Sequence, residues 1–147
     1  VEEDGLVMCA VGTSRYAPTE NAINSAKVVI AQMEGLKALL EGKEQEFEAQ
    51  MKEAVALEDE TNYPAGPPRI TQPSFEQYGA WLLTKGEYAE ALVQFNQSLQ
   101  RMPKRAKALS GKIQALKGLD RQEEAEQVEK ELQSIQIQAD EDALSMR

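Results

Sequence analysis

The residues able to do chemistry are few here, and their spacing does not combine them. No histidine occurs among the 147 residues. That removes the commonest general base, the Ser–His and Cys–His nucleophile arrangements and any zinc site built on imidazole. The single cysteine, Cys9, sits in the apolar run Leu6-Val7-Met8-Cys9-Ala10-Val11 with no base near it in sequence. It reads as a small buried hydrophobe, and being alone it excludes an internal disulfide. Ser110-Gly111-Lys112 has the closing letters of a phosphate loop, but lacks the upstream glycine and a following Ser or Thr, and falls inside a helical pattern. Glu58-Asp59-Glu60 and Asp140-Glu141-Asp142 lack calcium-loop spacing and its turn glycine, so they read as solvated charge at helix ends. The expectation is a noncatalytic chain without metal or cofactor.

Composition says what must position the remaining residues. With 41% hydrophobic content but only three Phe, one Trp and four Tyr, and with Ala, Leu, Glu, Gln and Lys abundant, the chain is expected to be all-α. A net charge of −9 disfavours nucleic acid and anionic membranes, which need a basic footprint. Charge is nevertheless segregated. Residues 41–60 carry eight acids against Lys43 and Lys52, whereas 101–119 carry six bases and no acid. The longest apolar run, Leu6–Val11, is far short of the ~20 residues of a membrane span, which predicts a soluble chain. Val1 is not an initiator methionine, so we read the sequence as a piece of a longer protein, with any signal peptide outside it and the compartment open.

The densest pattern is Phe75-x2-Tyr78-Gly79-x2-Leu82, then Ala91-x3-Phe95, then Pro103. Phe75, Tyr78 and Leu82 share one helical face, Gly79 and Ala91 are small where two helices must cross, Phe95 fills the space beneath, and Pro103 stops the second helix. This spacing resembles the tetratricopeptide repeat, which implies a right-handed superhelix of antiparallel helix pairs and a binding architecture rather than a reaction. Neighbouring pairs are legible on both sides. Ala125 lies 34 residues after Ala91, although Ile113 replaces the small residue expected opposite Gly79. Upstream, Gly35 through Gly42 parallels Gly79 through Gly86 at an offset of 44, with Phe47, Met51 and Ala54 placed like Ala91, Phe95 and Ser98.

Three helix pairs are therefore expected over 19–60, 72–105 and 106–139. Residues 1–18 would be a lead-in, 61–73 a Pro-rich insertion serving as a packed strut, and 140–147 a flexible polar tail. The first helix follows Pro18 with Thr19 suited to N-capping, and presents Ile23, Ala26, Ile30, Met33, Leu36 and Leu40 as its apolar stripe. Ser74-x-x-Gln77 has capping-box form. From Val28 to Ala143 the chain also resembles the C-terminal region of a group of large bacterial tetratricopeptide repeat proteins. The carrying residues are Ala54 to Asp59, Gly66-Pro67-Pro68, Pro73-x2-Glu76-x-Tyr78-Gly79, Phe95-x2-Ser98-Leu99 and Pro103-Lys104-Arg105. It departs from them at Phe75, where they often carry histidine, and at Lys104, where Asn is usual. The resemblance implies a C-terminal repeat module of unassigned biochemical role.

Projecting the first helix of each pair onto a concave side places Gln32, Leu36, Leu39, Glu76, Ala80, Leu83, Thr84, Ser110, Gln114 and Lys117 there. The expected function is a noncatalytic protein–protein interaction module taking a protein or peptide. The alternative is an architectural cap of an α-solenoid that packs on its own chain or forms a homo-oligomer. Glu76 and Arg105, opening successive repeats, are expected to form an ion pair.

Overall fold

The computed structural model describes residues 18–61 and 70–145. Among them the chain is all helical, with α1 (Glu20–Leu40), α2 (Glu44–Asp59), α3 (Ser74–Lys85), α4 (Tyr88–Arg101), α5 (Ala106–Gly118) and α6 (Gln122–Ser145). Each helix packs on the next in sequence, and α3 also touches α5. Most of the insertion expected to act as a strut, residues 62–69, lies outside the described residues, as does the lead-in through residue 17. α6 continues to Ser145, so 140–145, expected as a tail, are helical.

The turns α1–α2, α3–α4 and α5–α6 are built alike. Each passes through a left-handed residue, Gly42 (φ 77°), Gly86 (φ 80°) or Asp120 (φ 59°). In each, the next N–H reaches back to a carbonyl of the preceding turn: Lys43 to Ala38, Glu87 to Leu82, and Arg121 to Leu116. Glycine takes this conformation without a Cβ penalty, and the back-bond satisfies carbonyls left open at the helix end. The three positions stand 44 and 34 residues apart, so the local backbone repeats at the intervals read from the apolar residues.

The main core joins Phe47 and Met51 of α2, Tyr78 and Leu82 of α3, Ala91 and Phe95 of α4, Leu109, Ile113 and Leu116 of α5, and Ala125 and Val128 of α6. Phe75 is also fully buried. A second cluster, Val28, Ala31, Ala54 and Ile70, closes the first hairpin with a residue from the connection.

The face α1 buries is not the expected one. Ser25, Val28, Ala31, Gln32, Gly35 and Ala38 pack inward, while Ile23, Ala26, Ile30, Met33, Leu36 and Leu40 are exposed. Close approach to α2 selects small side chains, because a β-carbon on Gly35 would already lie 2.8 Å from Met51 Cε. The larger apolar residues on the other side of the helix are left outward.

The start of α3 also differs from its expectation. Pro73 is the N-cap and makes no side-chain cap bond. Instead the Ser74 N–H donates to Glu58 Oε2 at 2.6 Å. Glu58, expected as solvated charge, is wholly buried at the end of α2. A carboxylate at a helix N-terminus meets both an orphan N–H and the positive end of the dipole. Replacing Glu58→Ala should lower stability by about 2 kcal/mol, because the buried N–H loses its acceptor. Urea denaturation checks this, and an unchanged midpoint would show that the cap is supplied otherwise.

Candidate functional site

Two clefts flank the outward face of α3. The first, with a volume of about 390 Å³, is lined by Glu76, Ala80, Leu83 and Thr84 of α3, Lys107, Ser110, Gly111 and Gln114 of α5, Phe95 of α4, and Gln72. The second, about 520 Å³, is lined by Leu36 and Leu39 of α1, Glu44 and Phe47 of α2, Gln77, Ala80, Trp81, Thr84 and Lys85 of α3, and Gln72. Ala80 and Thr84 line both, so they form the ridge between the clefts. The i, i+4 spacing of this pair sets both residues over one helical face.

Eight of the ten residues projected onto a concave side line one or other of these clefts. The other two do not. Gln32 is buried, its amide donating to Gln72 O at 2.9 Å and Ser74 Oγ at 2.8 Å. It fastens the end of the connection to α1. Lys117 pairs with Glu129 of α6 at 2.6 Å. Leu83, expected to face only the cleft, is half-buried and packs on the core as well.

Between α3 and α5, Arg105 Nε donates to Glu76 Oε1, and Arg105 Nη2 reaches Thr71 O at 3.3 Å. Ser98 Oγ approaches the same carboxylate oxygen at 3.3 Å. Glu76 is 4% exposed, so its charge is held by Arg105 rather than by water. The other oxygen, Glu76 Oε2, is buried and accepts no hydrogen bond among the described residues. Gln77 Oε1 and Trp81 Nε1 share that condition. Three cleft-lining residues of α3 thus carry buried polar atoms without partners among the described residues, two acceptors and one donor.

Around the second cleft the ring of Trp81 is 5.2 Å from Phe47 and 6.1 Å from Tyr78. Lys85 lies 5.6 Å over Trp81 and pairs with Glu44 at 2.5 Å. Tyr78 in turn donates to Glu48 Oε1 of α2 at 3.3 Å. The Lys52 ammonium, hydrogen-bonded to Glu48, holds that carboxyl below the usual carboxylate range, while burial raises the Tyr78 phenol.

No family model and no curated protein matches the chain. Among the described residues no cluster of acids or sulfur ligands is arranged to hold a metal ion, and no helix is long and apolar enough to cross a membrane. Three of the six bases of 101–119 are engaged by acids of the same chain. Arg101 reaches Asp59 Oδ1 at 3.3 Å as well as the Thr61 carbonyl, Arg105 holds Glu76, and Lys117 holds Glu129.

Sequence reasoning missed Glu44, Phe47, Gln72, Gln77, Trp81, Lys85, Phe95, Lys107 and Gly111 as lining residues. Gln77, Trp81 and Lys85 carried a usable signal, since they neighbour Ala80 and Thr84 on α3 at helical spacing. Gln72 carried none, because its place depends on how the connection seats against Gln32.

Proposed function

We propose that the three hairpins are tetratricopeptide-type repeats stacked in a right-handed superhelix, and that the chain is a noncatalytic interaction module taking a peptide segment along α3. The observation that carries this reading is the pair of clefts meeting at the Ala80–Thr84 ridge, whose lining leaves Glu76 Oε2, Gln77 Oε1 and Trp81 Nε1 unpartnered. An unsatisfied buried polar atom costs free energy, which a peptide's N–H and C=O groups recover when the side chain turns toward the cleft. The cleft walls supply apolar contact through Leu36, Leu39 and Leu83, and polar contact through Ser110 and Gln114. Helices that already hold their positions reduce the ordering cost of binding.

Selection of a displayed peptide library on the 147-residue chain, followed by titration calorimetry, tests the reading. Peptides joining apolar residues to a hydrogen-bond donor for Glu76 are expected. Leu83→Arg should weaken them at least about tenfold by desolvation and clash. Because Leu83 also touches the core, Ala80→Arg at an exposed position should act alike with an unchanged melting curve. Equal affinities for both variants and the parent would place the contact surface elsewhere.

A second reading, an end segment of a helical stack that self-associates, draws on one observation: the apolar stripe of α1 is outward.

A further inference from the structure

α1 exposes Ile23 (43%), Val29 (37%), Ile30 (54%), Met33 (65%), Leu36 (43%) and Leu40 (90%). Its inner face is taken up by α2. With Ala26 and Lys37, the outward residues follow the alternating three- and four-residue steps of a helix-pairing seam. Over residues 23–40 this stripe runs about 25 Å.

We propose that this face binds α1 of a second copy of the chain, antiparallel, about a two-fold axis at the level of Ala31 and Gln32. In that register Ile23 meets Leu40 of the second copy, Ala26 meets Lys37, and Ile30 meets Met33. The small Ala26 leaves room for the Lys37 stem, whose ammonium is within 3.9 Å of its own Glu41. A two-fold interface must complement itself, and the flanks of the seam do so. On one side Lys27 comes level with Glu34 of the second copy, twice by symmetry; on the other, exposed Val29 meets exposed Leu36. At the ends, Glu20 faces the Lys43–Glu41 ion pair, which is 2.7 Å long within one copy. The helix itself carries two acids and two bases, whereas the chain carries −9. Pairing through α1 therefore brings together a neutral part of two acidic molecules, where mutual repulsion is least. The α3–α5 cleft stays open, whereas Leu36 also lines the second cleft, so a dimer and a peptide would share that one residue.

Sedimentation equilibrium of the 147-residue chain, up to on the order of 100 µM, tests it. A dimer of micromolar affinity is expected. Ile30→Glu with Met33→Glu should weaken it by at least about a hundredfold, since each charge would enter an apolar seam. Both positions are exposed in the single chain, so the monomer's melting curve should hold. Lys27→Glu alone, or Glu34→Lys alone, should weaken the dimer about tenfold by turning two attractive pairs repulsive. The double exchange, or a mixture of the two single variants, should restore it. A monomeric parent would overturn the proposal and return the stripe to another occupant, the upstream chain included. A dimer indifferent to the glutamates would place the contact on another surface. Charge reversals without effect would overturn the antiparallel register.

Discussion

Gly111→Ala should destabilise the chain by about 3 kcal/mol, at the upper end of overpacking costs. A β-carbon on Gly111 would stand 2.2 Å from Phe95 Cζ and 2.3 Å from Cε1. An aromatic ring cannot bend away from such a contact. Nor can it withdraw, because the same ring atoms are already 3.0–3.2 Å from where a β-carbon on Gly79 would lie. Phe95, 2% exposed, therefore fixes the spacing of α3 and α5, and with it the width of the first cleft. Gly35→Ala is the matching control. Its nearest neighbour, the Met51 methyl at 2.8 Å, is the far end of a flexible though buried side chain, Gln50 Cβ stands next at 3.2 Å, and alanine gains about 1 kcal/mol of helix propensity to set against that crowding. The control should lose clearly less than Gly111→Ala. Equal losses for the two variants in urea denaturation would mean that the α4–α5 contact is looser than these distances say.

Arg105→Ala should cost a similar amount, about 3 kcal/mol, through a different cause. It would strand the Glu76 carboxylate, which is 4% exposed and otherwise has, among the described residues, the hydroxyl of Ser98 within reach. Adding Glu76→Gln to Arg105→Ala should recover part of the loss, since a neutral amide is cheaper to bury than an unpaired charge. A double-mutant cycle measures the coupling. If Arg105→Ala alone cost less than about 1 kcal/mol, the pair would be behaving as an exposed one.

What could be read from the sequence was the part in which residue size dictates packing. Phe75, Tyr78, Leu82, Ala91, Phe95 and Ala125 are all buried, and the parallel read between Gly35–Gly42 and Gly79–Gly86 ends in two left-handed glycines, Gly42 and Gly86. The ion pair of Glu76 with Arg105 was legible because each lies at the start of a first helix in successive repeats. What was not legible depended on tertiary choice. α1 has two apolar faces, and hydrophobic periodicity favours the one with the larger residues, whereas packing on α2 took the one with Ala31, Gly35 and Ala38. Ile113 suggested that α5 lacks a close-approach residue, yet Gly111, two positions earlier, receives Phe95. Glu58 sat in an acidic run and looked solvated. Only the seating of α3 on the end of α2 makes it a cap. Gln32 and Lys117 fell on the projected concave face, but partners from the connection and from α6 claim them.

The central claim is that the face of α3 between the two clefts is where a peptide binds. Amide chemical-shift mapping of the isotope-labelled chain, titrated with a library-selected peptide, tests it most directly. The account predicts that the largest shifts fall on Ala80, Leu83, Thr84, Ser110 and Gln114, with Trp81 Nε1–H moving as it gains an acceptor. Shifts confined to α2, α6 or the outward stripe of α1, with the Trp81 indole unmoved, would contradict it.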